Sequence, residues 1–334
     1  MNKTDLRAGD VILFPPHKGD FIAQAISFLT DGEVNHAALC YPEGDCLKVA
    51  ESILKDGLVL NPFAEHIESD YPLRICRFKG TLDVNPVLEA AKKYLDEKNA
   101  YPNFNLGLLG LLLVFKKFAP HTLKNRIVYG FCTWVAGKLM LLVREKKYAG
   151  KHPMSCSQFV SQCFTDAGKE YDLQFDRLVV NFEAKAQLKT RSLTIDNKIS
   201  PLELLAMSED LDEFDANVMQ NSLSTIEESE EALISQFIQT VERQNDTSVC
   251  AARKLHVGGI SVEKEEEVPV QEINKATANI VLSLYELLQG HSASNLAEAM
   301  SFLSSSTARN YFVSPQDLLV NCPNSLEYIG NLSY

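Results

Sequence analysis

Residues 34–52 read Val34-Asn35-His36-Ala37-Ala38-Leu39-Cys40-Tyr41, then Pro42-Glu43-Gly44-Asp45, then Cys46-Leu47-Lys48-Val49-Ala50-Glu51-Ser52. Two strand-like runs flank a Pro/Gly/Asp cluster, and that pattern is a β-hairpin. A turn at 42–45 sets positions summing to about 87 opposite each other, which makes His36 and Glu51 cross-strand neighbours. A histidine and a carboxylate thus meet on one sheet.

Working outward, Val11-Ile12-Leu13-Phe14 follows Gly9-Asp10 and reads as a short buried strand. Phe21 to Leu29 has helical periodicity. Downstream, Leu58-Val59-Leu60 and Leu73 to Phe78 are further strands, and Pro86 to Glu97 is a helix with proline at its start. The N-terminal part is therefore a small antiparallel sheet.

Residues 104–143 are the most apolar region. Phe104 to Phe115 is too short to span a bilayer, which takes roughly 20 residues. Ile127 to Val143 comes closer but contains Lys138. The region reads as two buried helices, as a lipid-facing hairpin over a site, or as a transmembrane span. Ser155 to Ala167 follows as a helix with Phe159, Val160, Cys163 and Phe164 on one face.

Ser200-Pro201-Leu202-Glu203 carries N-cap, N1 proline and N3 carboxylate, and starts another helix. A similar phrase recurs at Ser314-Pro315-Gln316-Asp317-Leu318-Leu319. A leucine and an aromatic follow each copy, Leu211 with Phe214 and Leu326 with Tyr328. Two independently capped helices and an internal duplication both fit. Helical stretches at 226–241 and 273–288 lie between, separated by Val257-Gly258-Gly259 and the acidic run Glu263 to Glu267, a solvated loop or linker. A domain boundary is expected near Asp215, with residues 216–334 forming an all-helical accessory region.

The 334 residues carry a formal net charge of -12, concentrated after Asp215. Nucleic-acid binding needs basic stripes, and this sequence has none. The start, MNKTDLRAGDVILF, lacks the apolar stretch of a secretory signal, so a cytoplasmic setting is expected. Eight cysteines without a CxxC pair then read as reduced thiols. No Cys/His spacing suits zinc, and neither a metal nor an organic cofactor is implied.

One of those thiols is placed for chemistry. A thiol attacks an acyl carbon as the thiolate, and needs a base in reach and a site that favours negative charge. Cys156 lies at the start of a helix, where backbone N–H groups and the dipole provide that site, with Ser155 as N-cap. Cys163 falls in the apolar stripe and reads as core. Cys40 and Cys46 sit in the hairpin and can be packing residues. His36 is the candidate base, and Glu51 the carboxylate that orients it and stabilises its cation. His17, His66, His121 and His152 lie in loop or polar contexts and are weaker candidates.

LRAGDVILF, NHAALCY after a helix, VAES followed by DGLVL, and SCSQFV much later together resemble the circularly permuted NlpC-type papain-like cysteine hydrolases. The match is to the YiiX-like branch and, more distantly, the lecithin–retinol acyltransferase group. The resemblance covers roughly residues 5–215; the region beyond has no counterpart. It implies an α+β fold in which a small antiparallel sheet or barrel packs on helices. It also implies His36 as base, Cys156 as nucleophile and Glu51 as the orienting residue. Tyr101, in the segment before the nucleophile, is the implied oxyanion donor, beside Ser155 and the helix start.

The expected activity is cleavage of an amide, peptide or ester through a thioester, as hydrolase or acyltransferase. A peptide bond is the family default, and the apolar insert makes an acyl-lipid substrate and peripheral membrane contact the competitor. The alternative is a scaffold without catalysis that binds a protein partner through the acidic helical region. A signal-free hydrolase with an added helical region also fits a bacterial effector delivered into another cell.

Overall fold

The computed structural model describes residues 1–16, 20–53, 56–63, 72–97, 104–145, 154–178, 198–208, 229–250, 267–305 and 307–332. The fold is α+β. Its six strands are β1 (Val11–Phe14), β2 (His36–Glu43), β3 (Cys46–Ile53), β4 (Gly57–Pro62), β5 (Leu73–Phe78) and β6 (Leu326–Leu332). They form one sheet in the order β4-β3-β2-β1-β5-β6, and every neighbouring pair is antiparallel.

Strand β1 lies inside this sheet and all four of its residues are buried. That explains its unbroken apolar run, since side chains alternate between faces and here both faces are covered. Val11, Leu13, Ala37, Leu39 and Ala50 join the main core with the helices. Ile12, Phe14, Ala38, Cys40, Val49 and Ile75 form a smaller cluster on the opposite face.

The hairpin turn is tighter than its sequence suggests. Strand pairing runs on to Glu43 and Cys46, leaving only Gly44 and Asp45 as the loop. Gly44, at φ 59°, supplies the left-handed backbone that a two-residue loop requires at its first position. Glu51 consequently faces Ala38, and His36 lies diagonal to it. The shift from the expected register is an even one, so His36 and Glu51 still share a face.

The helices are α1 (Phe21–Thr30), α2 (Asn85–Asp96), α3 (Asn105–Phe115), α4 (Pro120–Leu123), α5 (Arg126–Arg144), α6 (Cys156–Ala167), α7 (Pro201–Ala206), α8 (Glu230–Cys250), α9 (Val270–Gln289), α10 (Leu296–Leu303) and α11 (Pro315–Val320). Helix α3 is apolar all round, and Gly107 to Val114 are buried without a break. A helix with no polar face has to be enclosed, and α1, α5, α7 and α9 enclose it. Helix α5 differs: Val128, Phe131, Cys132, Val135 and Leu139 face inward, whereas Leu141 is 49% exposed. By length and composition alone, α5 is the one helix among the described residues that could cross a membrane. Its inner face packs on α8 and α9, where Phe131 stacks on Phe237 at a centroid distance of 4.0 Å.

The region after Asp215 is not all-helical. Residues 326–332 form β6 and pair with β5 at the edge of the sheet. Leu326 packs in the main core and Leu332 in the smaller cluster on the opposite face, the register shifting at the irregularity between Ile75 and Cys76. The expected boundary at Asp215 lies outside the described residues. Both Ser-Pro copies start short helices, α7 and α11, with complete capping boxes through Glu203 and Asp317. Leu211 and Phe214, which follow the first copy, also lie outside the described residues.

Candidate active site

Helix α6 packs against β2 and β3, and this brings a helix start to the hairpin. Ser155 caps the helix: its Oγ accepts from the Gln158 N–H at 3.2 Å, and Gln158 Oε1 accepts from the Ser155 N–H at 3.4 Å. The first intrahelical bond runs from Phe159 N–H to the Ser155 carbonyl, at 2.9 Å. The N–H groups of Cys156 and Ser157 precede it and have no partner within the helix. They gather positive potential at the end that carries the thiol.

The segment leading to the helix is tied down. The Met154 carbonyl accepts from Ser52 Oγ at 3.2 Å and from the Phe104 N–H at 3.3 Å. Ser52 is the neighbour of Glu51 on β3, so one carbonyl joins the carboxylate strand, the start of α3 and the residues before Cys156. Ser157 Oγ donates to the Val313 carbonyl at 2.7 Å and fixes the first turn from its other side.

His36 opens β2 beside that helix start. Its ring Nε2 lies 2.7 Å from Glu51 Oε2, and the ring of Phe14 sits 5.1 Å away, centroid to centroid. A carboxylate only accepts, so Glu51 holds the Nε2–H tautomer and leaves Nδ1 as the basic nitrogen. Glu51 is buried, and its second oxygen accepts from Asn61 Nδ2 on β4 at 2.9 Å.

The electrostatics of His36 bind the group together. Burial by itself would lower the imidazole pKa. The charge of Cys156 and its hydrogen bond to the ring outweigh this, followed by the hydrogen bond and charge of Glu51, and push it up to about 10. The structure thus brings His36, Glu51 and Cys156 together. Among the other described thiols, Cys40, Cys76, Cys132 and Cys322 are pushed up to about 12, chiefly by burial. Cys163 is raised well above the ordinary thiol range by burial and the nearby Asp166. They lie in the core and suit packing rather than nucleophilic attack.

Ser155 serves as the cap and is fully buried, its hydroxyl directed to Gln158 and Ser157. Tyr101, His17, His66 and His152 lie outside the described residues. His121 is exposed on α4. Asn61 was not anticipated from the sequence; its signal was an Asn in a strand, where that residue type is disfavoured. Cys156 is 1% exposed and His36 20%, so the group opens to solvent on the imidazole side. Among the described residues, no cluster of three or more His, Cys, Asp or Glu could hold a metal ion.

No family model and no curated protein matches the sequence. Among solved structures, the chain is weakly similar to the crystal structure of metalloprotein yiiX from Escherichia coli O157:H7. The two are 14% identical, the match covers 58% of this chain and 88% of that one, and the TM-score is 0.31.

Proposed function

We propose that the chain is a cysteine-dependent hydrolase or acyltransferase of the permuted papain-like type, with His36 ahead of Cys156 in sequence. The observation that carries this is the position of His36, in contact with the thiol at a helix start on one side and with a buried carboxylate on the other.

His36 takes the Cys156 proton at Nδ1, and the thiolate adds to an acyl carbon. Charge develops on the acyl oxygen, and the N–H groups at the start of α6 are the donors for it. The tetrahedral species collapses, the imidazolium returns its proton to the leaving amine or alcohol, and a thioester remains on Cys156. Water or a second acceptor, deprotonated by His36, then releases the acyl group. Glu51 holds the ring in place and balances its charge while it carries the proton.

The substrate carries an amide or an ester. The partly buried apolar residues of α5 around the exposed Leu141 favour an acyl-lipid, and the peptide bond remains the default for this chemistry. Incubation with a peptide panel and with phospholipid vesicles, followed by mass spectrometry, separates the two. Release of fatty acid that His36→Ala abolishes establishes the lipid substrate.

The burial of Cys156 favours a second reading, in which the frame is retained as a scaffold for a protein partner. Iodoacetamide decides between them. On the enzyme reading Cys156 is alkylated well below pH 8 and His36→Ala removes that reactivity. Labelling confined to the exposed Cys46 supports the scaffold.

A further inference from the structure

We infer that Asn61 is a positioning residue of this site: by donating to one oxygen of Glu51, it aims the other oxygen at His36. The inference rests on the thiol-hydrolase reading and adds a residue to it.

His36, Glu51 and Asn61 occupy three consecutive strands. Glu51 faces Ala38 on β2 and Val59 on β4, so His36 and Asn61 each stand one diagonal step away, in opposite directions along the strands. Side-chain alternation puts all three on one face. They form a diagonal polar line across the sheet, beside the apolar residues Ala38, Cys40 and Val49.

A carboxylate rotates about its last bond, and fixing one oxygen fixes the other. Oε1 accepts from Asn61 Nδ2 at 2.9 Å and Oε2 meets His36 Nε2 at 2.7 Å. Because a carboxylate cannot donate, the amide must present its NH2 group here. Glu51 is only 1% exposed. A buried carboxylate that loses a donor takes up a proton or turns, and either change withdraws its charge from the imidazole. The titratable groups acting on His36 are Cys156 from α6 and Glu51 from β3; β1 contributes only the ring of Phe14. Asn61 therefore reaches His36 through Glu51.

The test compares wild type with Asn61→Leu, Glu51→Gln, the double variant and His36→Ala. Two curves are read for each folded protein: the His36 ring titration by NMR, and the pH dependence of Cys156 alkylation by mass spectrometry. Asn61→Leu should lower the His36 midpoint by about one unit and shift the alkylation curve with it. It should change neither curve further in the Glu51→Gln background. If Asn61→Leu fails to fold, Asn61→Val, a β-favouring residue at the same edge position, carries the same expectations. Melting changes with both curves unmoved, or an equal loss in both backgrounds, overturn the inference. If His36→Ala leaves the alkylation curve unchanged, the thiol-hydrolase reading fails by itself, and the His36 titration still decides the role of Asn61.

Discussion

His36 Nε2 meets Glu51 Oε2 at 2.7 Å from a diagonal position across the β2–β3 ladder. The carboxylate thereby fixes both the tautomer and the direction of the ring. Glu51→Gln keeps the shape and removes the charge, so the imidazolium is no longer balanced. Cys156 alkylation at neutral pH should slow on the order of 10²-fold. Rates from intact-mass spectrometry measure it.

The pH dependence of stability has a definite sign. The folded state raises the His36 pKa from an ordinary 6.5 to about 10, so folding favours the protonated ring. That contribution is complete below about pH 6.5 and is lost as pH rises through about 10. Between pH 7 and 10 the wild-type melting temperature should fall more steeply than that of Cys156→Ala, which lacks the leading influence raising the ring. Thermal melts across that window check it.

Ser155→Ala removes the hydroxyl that caps α6 and leaves the Gln158 N–H buried without its acceptor. The cost should be about 1–2 kcal/mol. Urea unfolding reads it as a lower midpoint at unchanged slope.

A methyl group added at Gly107 would lie 2.0 Å from Cζ of the Phe104 ring, which is itself buried. Gly107→Ala must push that ring aside, and overpacking of this kind costs about 1–3 kcal/mol. Calorimetry should show a lower melting temperature.

A chain ending at Asp215 would lose β6 from the edge of β5, and α8 and α9 from the inner face of α5. An unpaired edge and an uncovered apolar helix both promote association. Such a fragment should elute as aggregate or oligomer in size-exclusion chromatography; a stable monomer would show that residues 1–215 fold independently.

The strands around the site were legible because each signal is local. Val11 to Phe14, Leu73 to Phe78 and the hairpin are short apolar runs bounded by turn residues, and they form strands where expected. The pairing of Cys156 with His36 was legible only through the order of motifs, since no periodicity links residues so far apart. Asn61 escaped notice because its role depends on the exact register between β3 and β4. Strand β6 escaped because pairing with β5 is a tertiary choice, and its residues also suited the end of a repeat. The lining of α3 by Phe104, with Gly107 making room, is likewise a matter of packing rather than of pattern.

The pairing of Leu73–Phe78 with Leu326–Leu332 also sets a timetable. A ribosome adding about 5–20 residues each second needs on the order of 12–50 s to make the intervening roughly 250 residues. Throughout that interval the nascent chain displays an unpaired β5 edge while β1, its partner on the other side, is already available. Newborn molecules should therefore depend on a chaperone to shield that edge until synthesis reaches β6.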